Sequence, residues 1–395
     1  MAIYNCPQCG AILPYSGAAC SSCARKRADE QRWRNQSSSQ SSYVSNGSSS
    51  TSSHSSSRSY AKEIDRLSEV VTKFDKLLSF TGYKKQSFSD GSYYEGDFVN
   101  GKFHGKGKLT DADGDYYEGY FVNGDFNGYG KYIFADGAVY EGEFKNNMFY
   151  GKGKLTDADG NIYVGDWVDD KRNGKGKYTW ADGTYYEGDF ANGDFNGYGK
   201  RTYDNGDVYE GEFKDDICHG KGKLTDADGN IYVGDWVEDE MEGKGKFTFT
   251  DGTYYEGNFA NGDFNGYGRR TYDDGAVYEG DFVNGKFHGK GKYTWADGTY
   301  YEGDFANEDF NGYGKRTYDN GDVYEGEFKD DMCHGKGTYY FKDGRVYRGE
   351  MKDDYCTGLG IMTYPDGKVE EGEFKEDVLV RAFKIKRDKI IRMIK

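Results

Sequence analysis

Two Cys-x-x-Cys pairs open the chain, Cys6/Cys9 and Cys20/Cys23, with ten residues between them. Thiolates at this spacing sit on two tight turns, and four sulfurs satisfy tetrahedral zinc at roughly 2.3 Å. A segment too short to bury a core draws its folding energy from such an ion. Gly10 and Gly17 ease the hairpin between the pairs. The expectation is therefore one structural zinc ion on Cys6, Cys9, Cys20 and Cys23, with two disulfides or four free thiols as the alternatives. Cys218, Cys333 and Cys356 recur within a repeat and read as structural.

The first 24 or so residues resemble the short zinc ribbons at the starts of many bacterial proteins. The basic run beyond them, Arg25, Lys26, Arg27, Arg32 and Arg34 beside Trp33, could touch nucleic acid, but the acidic body of the chain repels phosphate. Other constellations reduce to structure. "DADGD" at 111 to 115 and "DADGN" from Asp157 and Asp226 begin like calcium loops, yet the later ligands and the bidentate glutamate are missing, and Asp-Gly is already a turn signal. His104 opposite Asp97 and His219 opposite Glu212 read as cross-strand pairs on a solvent face. "GKGK" lacks the spacing and the Ser/Thr of a phosphate loop. With no nucleophile, base and oxyanion set, the chain reads as non-enzymatic.

What positions these residues is a repeat. The tyrosine of Y-x-G-x-[FW] recurs every 23 residues from Tyr94 to Tyr347, where Met351 takes the aromatic place, and a thirteenth copy keeps Gly372 and Phe374 where Glu370 replaces the tyrosine. A fixed period of this size marks an array in which each unit packs on its neighbours. Asn100-Gly101 is the favoured two-residue hairpin turn. Simple pairing around it sets Phe98 opposite Phe103, Gly96 opposite Gly105, Glu95 opposite Lys106 and Tyr94 opposite Gly107. One face then carries aromatics and glycines from Tyr94 to Leu109, and the other carries Glu95, Asp97, His104, Lys106, Lys108 and Thr110. Asp-Gly turns return the chain to the next hairpin. The expected fold is all-β: an elongated single-layer antiparallel meander of hairpins, with a small zinc ribbon and one short helix.

Composition agrees. With 59 Gly, 38 Tyr, 25 Phe and 3 Pro among 395 residues, aliphatics are too thin for one large core, whereas aromatics can cover a sheet. No apolar run reaches the roughly 18 residues of a membrane span and the first residues lack a signal-peptide pattern, which points to the cytoplasm. The net charge of −16 is uneven: residues 1–88 hold 12 Lys/Arg against 6 Asp/Glu, residues 375–395 hold 8 against 3, and 89–374 carry −27. Five segments follow: a zinc ribbon at 1–27, a linker at 28–59, a helix at 60–80, the array at 89–377 and a basic cap at 378–395. Between 36 and 59, fifteen of 24 residues are serine, a composition that cannot offset its ordering entropy. Ile64, Leu67, Val71, Phe74 and Leu78 lie on one helical face, which serves either as a cap over the first repeat or as a short coiled coil. Near the C-terminus, residues 382–387 are expected as the last strand, with Phe383 and Ile385 turned to the aromatic face; the rival reading is an anchor for anionic lipid.

Y-E-G-D-F, then G-K-G, with Asp-Gly before the next tyrosine, resembles the MORN repeat over about three quarters of the chain. His104, His219, His288 and His334 match its frequent His-Gly step, but Asn127, Asn173, Asn196, Asn265 and Asn311 stand there in other copies, which argues against a histidine site in every unit. The resemblance implies a single-layer sheet whose groove binds protein segments, a peptide or a helix, or mediates homodimerisation. Contact with membrane lipid and with nucleic acid are the lesser readings. The contact residues so implied are Tyr94, Phe98, Tyr140, Phe144, Tyr163, Trp167, Tyr186, Phe190, Tyr209, Phe213, Tyr232, Trp236, Tyr255, Phe259, Tyr278, Phe282, Tyr301, Phe305, Tyr324 and Phe328. The function expected is a scaffold or docking protein.

Overall fold

A computed structural model describes Tyr4–Asn5, Ile12–Leu13, residues 62 and 64–66, and residues 80–386. The cysteine pairs at 6/9 and 20/23, the linker and residues 387–395 lie outside the described residues. Strands β1 (Tyr4–Asn5) and β2 (Ile12–Leu13) pair antiparallel, Tyr4 with Leu13 and Asn5 with Ile12. Lys62 and residues 64–66 are helical, within the segment expected as a helix. From Gly82 to Lys386 the described residues are all-β, 27 strands joined by tight turns. It forms two compact units, one through Ala227 with Val237–Asp239 added, the other from Asp228. Within each, consecutive strands pair antiparallel in a meander, for example Tyr185–Ala191 with Asp194–Thr202 and Tyr300–Ala306 with Asp309–Thr317.

The first strand, β3 (Gly82–Ser87), precedes the expected start of the array. It pairs with β4 (Tyr93–Val99), Gly82 opposite Phe98 and Gln86 opposite Tyr94, and so supplies half a hairpin that the 23-residue count does not include. In the next hairpin, β4 against β5 (Lys102–Thr110), the turn is as expected: Asn100 and Gly101 both have positive φ, 52° and 75°. Phe98 faces Phe103, but beyond Asp97 and His104 the register shifts, so that Gly96 faces Gly107, Glu95 faces Lys108 and Tyr94 faces Leu109. Simple pairing is therefore wrong past this point. Gly105 and Lys106 have no partner on β4, and Gly105, at φ 63°, makes the bulge that absorbs them.

The bulge aligns the glycines. Gly96, Gly107, Gly119 and Gly130 face one another in turn across successive strands, and the same row recurs through both units. Over this row the repeat tyrosine lies flat. A Cβ on Gly96 or Gly107 would collide with the Tyr94 ring, which is why both positions are glycine. The Tyr94 hydroxyl donates to the Asp97 carbonyl at 3.0 Å, beside the bulge. The same bond, from hydroxyl to the carbonyl three residues on, recurs from Tyr117 to Tyr347 at 2.7 to 3.0 Å. Around each tyrosine the rings form a herringbone: Tyr94 stacks on Phe103 at 3.7 Å and meets Phe98 and Phe121 edge-on at 5.1 and 5.2 Å. This aromatic layer replaces an aliphatic core.

Two clasps tie neighbouring hairpins. Where the second turn residue is Asp or Asn, its side chain accepts a backbone N–H of the preceding hairpin, as Asn147 does from Phe126 and Asp216 from Phe195, both at 2.7 Å. At the opposite edge, Asp115 accepts from the N–H of Ala135 and from the Tyr132 hydroxyl. Asp111 in "DADGD" accepts the N–H groups of Asp113 and Asp115 at 2.9 Å each, so its carboxylate closes the turn.

At the far end, strand β29 (Val378–Ala382) pairs with β28 (Val369–Lys375), Phe374 opposite Leu379 and Gly372 opposite Ala382. The final strand thus begins four residues before the position expected. The cause is the Glu376-Asp377 turn, at φ 47° and 65°, which has the same left-handed geometry as every other hairpin and folds a thirteenth unit. Ile385 is buried as expected, whereas Phe383 is 40% exposed.

Candidate functional site: the outer aromatic ladder

The twenty expected contact residues form the inner layer. None is more than 8% exposed, and each repeat tyrosine from Tyr94 to Tyr324 is at 2% or less. Burial raises their hydroxyl pKa values well above the ordinary range, Tyr186 and Tyr301 among them. These side chains hold the sheet together, and what the aromatic face offers outward is the next residues along each strand.

Because side chains alternate, the residues two and four places beyond the second glycine of each row share the face of the tyrosine rings. Trp180 packs edge-on against Phe195 at 6.0 Å, and Trp295 does the same against Phe310. Tyr178 meets Trp180 at 5.0 Å and Tyr293 meets Trp295 at 5.1 Å. From Tyr178 onward most of these side chains are partly exposed, among them Tyr178, Trp180, Phe247 and Phe249. They make a ladder lying on the inner layer. Arginines are stacked into it: the Arg201 guanidinium lies 4.6 Å from the Tyr203 ring and 5.2 Å from Trp180, and Arg316 lies 4.8 Å from Tyr318 and 5.3 Å from Trp295. Tyr203 and Tyr318 reach down to Cys218 and Cys333, with oxygen to sulfur at 3.6 and 3.2 Å. Burial pushes the Cys333 thiol up to about 12, an inert sulfur in keeping with a structural role.

The same columns are closed in the first hairpins. Leu109 and Tyr132 are 0% exposed, Phe134 2% and Leu155 8%. The helical residues lie at this end: Ile64 is 1% exposed, and Arg66 pairs with Asp111 and Asp113 of the first return turn. The charge of Asp65 also acts on Asp170, whose carboxyl burial pushes up to about 6.

The opposite face is polar, as expected. Lys108 pairs with Glu118 at 3.2 Å, Lys131 with Glu141 at 2.7 Å and Lys175 with Asp189 at 2.7 Å. An open depression of about 930 Å³ there has Gly153, Gly165, Gly176 and Gly188 for its floor and Tyr129 and Tyr198 at its borders. Of the expected histidine pairs, His104 does face Asp97 across the strands. Among the described residues no helix is long and apolar enough to cross a membrane.

The outer ladder is not marked by the repeat motif, whose most regular letters belong to the inner layer. Its signal is present nonetheless in "YTW", "RTY" and "FTF" at one fixed place in the period.

Comparison with solved structures finds faint likenesses. The SAS-4 (dCPAP) TCP domain of Drosophila melanogaster, in complex with a proline-rich motif of Ana2 (dSTIL), is 14% identical with a TM-score of 0.25, covering 51% of this chain and 90% of that one. A streptogramin B lyase is 14% identical with a TM-score of 0.12, covering 76% of this chain and 86% of that one. Virginiamycin B lyase from Staphylococcus aureus is 13% identical with a TM-score of 0.12, covering 74% and 94%. Similarity this low carries no argument about function. No curated protein matches the chain. The MORN repeat model matches twelve consecutive segments, from 94–116 to 347–369, so the thirteenth hairpin lies beyond the match. Tyrosine, glycine pair and hairpin turn thus recur in the family's own register, and the chain belongs to the MORN repeat family.

Proposed function

We propose that the protein is a non-enzymatic scaffold that docks protein segments on the outer ladder of its aromatic face. The observation that carries this reading is the contrast along that face. Its first hairpins are closed, with the chain's own helical residues lying at that end, while most of the equivalent side chains from Tyr178 onward are partly exposed. Partly exposed aromatic side chains repeated along a face in each unit are a place of interaction or a liability. Large, stiff aromatic rings seated on a rigid layer are also the side chains from which binding hot spots are built. The inner layer, including the residues first expected to touch a partner, acts as the foundation. MORN repeats in general are interaction repeats, and a protein partner suits this face better than anionic lipid, since the array is strongly acidic. The zinc ribbon at Cys6, Cys9, Cys20 and Cys23 remains part of the proposal, as a separate structural module.

The test is affinity capture from cell extract with the full chain, read by mass spectrometry. Trp180→Ala and Trp295→Ala together should remove a specific partner, while Glu210→Ala with Lys221→Ala on the polar face should not. Equal loss with both pairs would move the docking site off the aromatic face.

A further inference from the structure

Arg201 and Arg316 occupy equivalent places in two nearly identical stretches of sequence, 177–222 and 292–337. Each guanidinium lies between a tryptophan and a tyrosine of the outer ladder and above a phenylalanine of the inner layer, Phe195 at 5.9 Å and Phe310 at 5.6 Å. Both are partly exposed. Many lysines of the opposite face pair with Glu or Asp, yet among the described residues neither arginine has a carboxylate within ion-pair distance. Among the described residues the Arg316 side chain makes one hydrogen bond, donating to the Asp331 carbonyl at 3.5 Å, and the Nε of each arginine is buried without an acceptor. In an array of net −27, these two cations thus stand without an ion-paired carboxylate among the described residues, Asp239 acting on Arg201 only from beyond that distance, on a face where Arg172 and Arg270 are also stacked on rings.

We propose that Arg201 and Arg316 are anion-reading positions of the docking face, and that the segment it takes carries Asp or Glu beside large apolar side chains. This rests on the docking reading above. A guanidinium offers a planar fork of donors that matches a carboxylate bidentately. Stacking between rings holds that plane in place before the partner arrives, so little ordering cost is left for binding. The flanking rings receive the apolar neighbours and shield the pair from water, which strengthens it. Charge complementarity selects the occupant: a basic segment would meet like charge at the arginines, and an uncharged one would leave the fork unused.

The experiment selects phage-displayed random peptides on the full chain and measures the affinity of the enriched peptides by fluorescence anisotropy. Acidic residues next to Trp, Phe or Leu should be enriched. Arg201→Met with Arg316→Met, which keeps an unbranched side chain over the rings, should weaken those peptides tenfold or more with an unchanged circular dichroism spectrum. Arg→Lys at both sites should fall between. Enriched peptides that lack Asp and Glu, or that ignore the methionine variant while Trp180→Ala/Trp295→Ala releases them, would overturn the assignment and leave the docking reading standing. If no enriched peptide depends on the tryptophans, the docking reading falls and takes this one with it. Arginine-dependent sedimentation with phosphatidylserine vesicles, in place of peptide binding, would also overturn it.

Discussion

The Tyr186 hydroxyl donates to the carbonyl of Asp189 at 2.8 Å, and to reach it the ring lies across the backbone of Gly188 and Gly199. One tyrosine thereby explains three features of the repeat: its own position, the two glycines beneath it and the bulge beside its hydroxyl. Gly199→Ala puts a methyl group where the ring lies, and overpacking of this kind costs about 1–3 kcal/mol. Tyr186→Phe removes only the hydroxyl bond, about 1 kcal/mol. Urea denaturation of the full chain should rank Gly199→Ala as the more damaging. An alanine as well tolerated as the phenylalanine would show that ring and glycines are not coupled.

Asp170 supplies a pH signature. Its side chain accepts the Phe149 N–H at 2.7 Å, yet burial foremost, then Asp65 and Asp169, raise its pKa from an ordinary 3.8 to about 6. A raised carboxyl binds its proton more tightly when folded. The ionised form therefore costs stability above about pH 6, and the cost disappears as pH falls towards 3.8. Asn147 shows that an amide can fill the same role in the preceding hairpin. Asp170→Asn should raise stability at pH 7.5 by on the order of 1–3 kcal/mol and match the parent near pH 4. Thermal melts at the two pH values decide it, and a variant less stable at pH 7.5 would count against a strained carboxylate.

Elemental analysis of the purified protein should find one zinc ion per chain. Cys9→Ser should lower that content sharply while leaving the far-ultraviolet signature of the array intact, since a repeat couples only to its neighbours. Full zinc retention in the variant would exclude the four-cysteine site.

Deleting 378–395 removes the strand paired with Val369–Lys375 and uncovers its hydrogen-bonding edge. Exposed edges invite pairing with other chains, so aggregation or a lower Tm is expected. Light scattering during a thermal ramp reports both. Should the truncated protein stay soluble and equally stable while losing affinity for anionic vesicles, the segment is a lipid anchor and the cap reading fails.

The period, the hairpin turn and the alternation of faces were legible in the letters, because each depends on residues close together in the chain. Asn100-Gly101 selects its turn locally, and Tyr94, Phe98 and Phe103 share a face through strand geometry alone. The register past Asp97 was not legible. Whether Gly96 faces Gly105 or Gly107 depends on a bulge that pays off only when the Tyr94 ring packs over both glycines of the row. Strand β3 escaped notice for a related reason, since "GYKKQS" acquires its role only by pairing with β4.

Burial separates the two kinds of information most clearly. Sequence alone determined that Tyr209 and Phe213 lie on the aromatic face, and the tertiary structure decided that they lie beneath it, 1% and 3% exposed, with the partly exposed surface passing to neighbours such as Tyr178, Trp180 and Arg201. The physical reason is that a side chain's direction follows from its own backbone, whereas its access to water depends on which rings from adjacent hairpins stack over it.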